Sequence, residues 1–76
     1  MPHRDVKVES NWHALMSLCT KEREYQRDGS HPKLLRLVRK QIDQLAAEMG
    51  FSQRQIETRE FRAEKTGSHI VRIITE

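Results

Sequence analysis

The first polar and apolar pattern in the chain is Asp5-Val6-Lys7-Val8-Glu9, whose period of two predicts a short strand with one buried face. Ser10 or Asn11 then caps a helix on which Trp12, Leu15, Met16 and Cys19 follow the i, i+3, i+4, i+7 spacing of one helical face. Leu18 and Tyr25 widen that stripe. Gly29 ends this helix, and Pro32 opens the next in its first turn. Leu35, Val38, Ile42, Leu45 and Met49 step by 3, 4, 3 and 4, which predicts an amphipathic helix from Pro32 to Met49, stopped by Gly50. Residues Phe51 to Gln55 allow two readings. Ser52 can cap a short third helix, whereas Ile56 onward, with Thr58 and Phe61 among alternating charges, fits a strand, and the strand is the expectation. Lys65-Thr66-Gly67-Ser68 supplies turn chemistry for a hairpin, and His69 to Thr75 is the most strand-like segment, with apolar residues on both faces. The predicted order is strand, helix, helix, strand, strand. It describes a single α+β domain over 1–76, with two helices packed on a small, mostly antiparallel three-stranded sheet.

Length limits that core. A chain of 76 residues buries only about 60% of the surface it exposes when unfolded. Cys19 is the single cysteine, so no internal disulfide reinforces the core, and a reducing compartment suits the protein. No apolar run approaches the roughly 18 residues that span a bilayer, and Met1-Pro2-His3-Arg4-Asp5 lacks the apolar core of a signal peptide. The expectation is an intracellular protein, cytoplasmic or nuclear, with no membrane partner.

Charge adds a direction. Fourteen Lys and Arg against 11 Asp and Glu give a formal charge of +3, a basic balance compatible with nucleic acid, an acidic protein or simple solubility. The second helix carries Lys33, Arg36, Arg39 and Lys40 in its first half and Asp43 and Glu48 in its second. Cations at a helix N-terminus oppose the macrodipole at a few tenths of a kcal/mol each, so stability alone would place them at the other end. Lys33, Arg36 and Lys40 share one side, an arrangement suited to phosphate oxygens, to an acidic partner or to water. Towards the C-terminus, Glu57, Glu60 and Glu64 interleave with Arg54, Arg59, Arg62, Lys65 and Arg72, which argues against a broad duplex-binding surface. Trp12 and Phe51 read as core, and Phe61 as the most open aromatic, half-buried against a helix.

Catalytic chemistry finds little footing. There is no Gly-rich phosphate loop, nucleophile elbow or HExxH. His3, His13, His31 and His69 never fall at i, i+3 or i, i+4, and Cys19 sits on an apolar stripe. No enzyme activity, cofactor or metal is expected.

Two stretches resemble known modules. Ile42 to Ile56 looks like a helix-turn-helix, with its alanine, turn glycine and apolar residues at the expected offsets, although Arg59 stands where an apolar anchor normally follows. Arg39 to Phe51 resembles the central helix of R3H domains, small modules that bind single-stranded nucleic acids. In that family an arginine precedes a histidine by four positions, an alanine and a Gly-apolar helix end follow, and a strand rich in Val and Ile closes the domain. Arg39 matches the arginine, Ala46 and Gly50-Phe51 the helix end, and Ile70 to Thr75 the closing strand. Asp43 stands in place of the histidine, and the connection after Phe51 is longer than in the family. The resemblance covers about two-thirds of the chain. It implies an R3H-like, non-enzymatic domain that binds single-stranded RNA or DNA, with Arg39 at the family's arginine position; the charge pattern of the basic helix makes Lys33, Arg36, Arg39 and Lys40 the expected contacts, helped by Arg62 or Arg72 on the sheet. The alternative is a small protein-interaction regulator or inhibitor that presents the same basic helix to an acidic protein surface, or adds the Ile70 to Ile74 edge to another sheet. A small core and an open strand edge also permit a homodimer.

Overall fold

The computed structural model describes residues 6–76. They form three helices followed by a hairpin: α1 Val6–Asp28, α2 Pro32–Glu48, α3 Gln53–Thr58, β1 Arg62–Thr66 and β2 His69–Ile74. The class is α+β, and among the described residues the sheet has two antiparallel strands, not three. Asp5 lies outside the described residues, and Val6 to Glu9, expected as a strand, are the first turns of α1. The correction has a simple cause. Val8, Trp12, Leu15 and Cys19 are spaced i, i+4, i+7 and i+11, so the helical stripe continues backwards through Val8, which packs on the core, and its neighbour Glu9 is buried beside it.

Both long helices end as their glycines dictate. Gly29, at φ +72°, donates its N–H to the Tyr25 carbonyl at 2.9 Å. At the end of α2 the Gly50 N–H reaches the Ala47 carbonyl and the Phe51 N–H the Ala46 carbonyl, both at 3.1 Å, with Gly50 at φ +96°. This Schellman closure turns the chain back so that Phe51 enters the core beside Ala46.

The ambiguous segment resolves as a helix. The Ser52 side chain accepts from the Gln55 N–H at 3.1 Å, and the Gln55 side chain accepts from the Ser52 N–H at 3.0 Å, a complete capping box that starts α3. The strand that was expected from Ile56 begins only at Arg62.

In the hairpin, Glu64 pairs with Arg72 and Lys65 with Ile70, so Val71 is an extra residue, a bulge in β2. Without it, Ile70 and Ile73 would fall on opposite faces, because side chains in a strand alternate. With it, both lie opposite the inward positions Lys65 and Ala63 and both pack on the core. The Lys65 ammonium covers the Trp12 ring, 5.7 Å from its centroid. The core therefore draws on every helix and on β2, with Leu15 and Ile42 fully enclosed and Trp12, Val38, Ala46, Phe51, Ile56 and Ile70 around them. Phe61 is half-buried, its ring 4.9 Å from that of Phe51.

Gln55 has a second task. Its Nε2 donates to the Ile74 carbonyl at 3.0 Å, and its Oε1 accepts from the Glu76 N–H at 3.3 Å. Those two groups lie on one edge of an extended chain, and the side-chain amide bridges them as the backbone of an adjacent strand would. Gln55→Ala is expected to lower stability by about 1–3 kcal/mol, since it leaves the Ser52 and Glu76 N–H groups and the Ile74 carbonyl without this partner at once. Urea unfolding reads the loss, and faster hydrogen exchange at the Ser52 and Glu76 amides locates it. An unchanged midpoint with unchanged exchange would show that water substitutes for this amide.

Candidate functional site

The 3.6-residue turn sets the faces of α2. Val38, Ile42 and Ala46 point to α1 and the core, which leaves Lys33, Arg36 and Lys40 on the outward face, all exposed. Among the described residues no carboxylate comes within ion-pair distance of these three cations. Leu34 and Leu37 share the outward side, 44% and 57% exposed. Arg39 lies at the margin of this face, with its Nε 3.3 Å from Glu22 Oε2 and its side chain 47% exposed.

Arg62 and Arg72, the other two expected contact residues, are exposed on the hairpin, and Arg72 Nε donates to Glu64 at 2.5 Å. The hairpin packs on α1 through β2, whereas α2 packs on α1 and α3. The fold thus gathers Lys33, Arg36, Arg39 and Lys40 on one helix and keeps Arg62 and Arg72 on a separate element.

Sequence reasoning missed the charged cluster beside Arg39. Glu22 sits on the buried stripe of α1, three residues after Cys19 and seven after Leu15. Arg59 reaches it from the end of α3 with two parallel bonds, Nε to Oε1 at 3.1 Å and Nη2 to Oε2 at 2.8 Å. Arg59 Nη1 also donates to Asp43 Oδ1 at 3.2 Å and to the Ile56 carbonyl at 2.7 Å. These groups line an open groove between the three helices, with Gln26 and Gln53 at its rim. The available signal was positional: a glutamate in phase with an apolar stripe needs a buried partner.

Electrostatics follow from those contacts. The hydrogen bonds from Arg59 hold the Glu22 carboxyl below its ordinary range; burial opposes them and Arg39 adds to them. The same pair raises Arg59, whose guanidinium is held charged chiefly by Glu22. Burial pushes the Cys19 thiol up, partly offset by the nearby Arg59 guanidinium. Trp12 and Phe51 are buried, and Tyr25 and Phe61 are half-buried. Among the described residues no cluster of His, Cys, Asp or Glu is arranged to hold a metal, and no helix is long and apolar enough to cross a membrane. The short α3 ends where Arg59 turns inward to Glu22 and Asp43, so under two turns remain for a recognition helix.

No protein-family model, curated protein or solved structure matches this chain.

The lowered Glu22 carboxyl makes a pH prediction. Its stabilising effect is complete above the ordinary glutamate range and is lost as pH falls through the depressed folded value. Glu22→Gln is expected to cost about 1–3 kcal/mol at neutral pH, mostly because Arg39 loses its counter-charge and Arg59 keeps only Asp43. The gap in melting temperature from the parent should close as pH is lowered from about 5 towards 3. A gap that stays constant over that range would mean that the carboxylate charge contributes nothing.

Proposed function

We propose that this domain is a non-enzymatic module that binds single-stranded nucleic acid through its phosphates, with Lys33, Arg36, Arg39 and Lys40 of α2 as the contact surface. One observation carries the reading: Lys33, Arg36 and Lys40 share one exposed face of α2 with no carboxylate partner among the described residues, and Lys33 stands in the first turn, where the helix dipole disfavours a cation. Nothing in the packing of α2 requires positive charge there. The R3H-like pattern supports the same surface, since Arg39 occupies the family's arginine position. Asp43, which replaces the histidine, is engaged by Arg59 and so does not oppose an incoming phosphate as a bare carboxylate. Arg62 and Arg72 are reached only by a strand long enough to leave α2 for the hairpin.

A second reading has an observation of its own. Leu34 and Leu37 beside the cations make α2 amphipathic on its outward side, a surface that also fits an acidic helix of a protein regulator or its target.

Fluorescence anisotropy with labelled oligouridine and oligodeoxythymidine at several salt concentrations tests the proposal. Three to four phosphate contacts give a slope of log K against log salt of about −2 to −3, and Arg36→Ala or Lys40→Ala should each reduce it by about 0.7. Arg62→Ala should matter only for longer oligonucleotides, and Leu37→Ser should leave binding unchanged. Salt-independent binding, or no binding at low salt, overturns the nucleic-acid reading and turns attention to an acidic protein.

A further inference from the structure

Resting on the nucleic-acid reading, we propose that Glu22 is a positioning residue for binding: its buried carboxylate holds Arg39 by Nε and leaves both Nη groups of that guanidinium facing the ligand. Of the four cations on α2, Arg39 is the one in contact with a carboxylate, and the contact is made through Nε. Among the described residues no other hydrogen bond engages the Arg39 side chain. The Glu22 side chain is 11% exposed against 47% for Arg39, so the carboxylate forms the floor of the groove and the guanidinium its opening.

The carboxylate itself is immobilised from the other side. Arg59 bonds both of its oxygens, and Asp43 and the Ile56 carbonyl occupy further donors of Arg59. Order passes from the backbone end of α3 through Arg59 to Glu22 and from there to Arg39. A guanidinium tethered at Nε presents a planar pair of donors in the geometry that matches two phosphate oxygens, which an ammonium cannot do. The tether also removes part of the rotamer freedom that binding would otherwise have to quench.

Simple charge reasoning makes the opposite forecast, which renders the idea testable. Deleting a negative charge next to a phosphate site should tighten binding; deleting a positioning group should weaken it. The experiment is a double-mutant cycle on the full chain, with labelled oligouridine titrated into the parent, Glu22→Gln, Arg39→Lys and the double variant, each checked for native circular dichroism. Glu22→Gln is expected to weaken binding roughly threefold to tenfold. Arg39→Lys, which keeps the charge and loses Nε, should weaken it similarly, and the double variant should be no weaker than Arg39→Lys alone. If Glu22→Gln fails to fold, Glu22→Asp, which keeps the charge but shortens the reach, enters the same cycle with the same expectation. Slow solvent exchange of the Arg39 Nε–H in the parent, lost in the Glu22 variant, reads the tether without any ligand. Tighter or unchanged binding by the Glu22 variant, or full additivity with Arg39→Lys, overturns the positioning role while leaving the phosphate-binding proposal intact. A parent chain that does not bind oligouridine overturns both.

Discussion

A carboxylate withdrawn from water must be met by cations or lose its charge, and Glu22 imposes that condition on the three helices at once. Arg59 meets it at a backbone cost. It occupies the left-handed position that closes α3, φ 59°, with its N–H on the Ile56 carbonyl and the next N–H on the Gln55 carbonyl, a site where glycine is the usual occupant. A non-glycine residue there costs on the order of 1 kcal/mol. The side chain offsets that cost by fixing the end of α3 against α1 and, through Asp43, against α2. Hydrophobic contact between these helices permits many rotations; a fork of two parallel bonds permits few. The apolar stripe Val38, Ile42 and Ala46 sets which cations of α2 face outward, and this pair adds a polar link that ties the end of α3 to α1.

The same economy operates at the other end of α3. A hairpin alone is marginal in water, and among the described residues the sheet has two strands. Gln55 does part of the work of a third with one amide, capping its own helix while engaging the Ile74 carbonyl and the Glu76 N–H. The bulge at Val71 completes the arrangement, because Ile70 and Ile73 are three residues apart and only an extra residue between them brings both to the core. Two irregularities thus let a two-stranded ribbon close a core that otherwise belongs to helices.

Much of this was legible in the residues, and what was not has a common cause. The period of α2, the stops at Gly29 and Gly50, the hairpin turn and the burial of Trp12 and Phe51 are all written in apolar spacing and turn chemistry, and these appear as read. The beginning of α1 does not, because Val6 and Val8 alternate with Lys7 and Glu9 while Glu9 is in fact buried; a charged residue on the inner stripe disguised a helix as a strand. Glu22 hid the ion-pair cluster in the same way. The start of α3 hung on whether Ser52 or the later run of charges prevailed, and the reciprocal bonds with Gln55 settle it locally. Hydropathy patterns assign charged residues to solvent, so they fail where a charge is internal and paired. For the basic helix, the sequence shows which cations share a side, but only the packing shows which of them have partners.

That division between engaged and free charge separates the architecture of this domain from its proposed activity. Arg54 is tied to Glu60 and Glu76, Arg59 to Glu22 and Asp43, and Arg72 to Glu64. Engaged cations of this kind offer little to a polyanion, because a phosphate would have to displace a carboxylate already in place. Among the described residues Lys33, Arg36 and Lys40 carry no such obligation, so in the proposed binding mode each phosphate contact releases a condensed counterion with no internal pair to break. Arg39 belongs to both groups, anchored through one nitrogen and open at two. In the proposed binding mode, affinity is set by a few unencumbered charges and geometry by one that is held, and the holding partner lies on a different helix, at the floor of the groove.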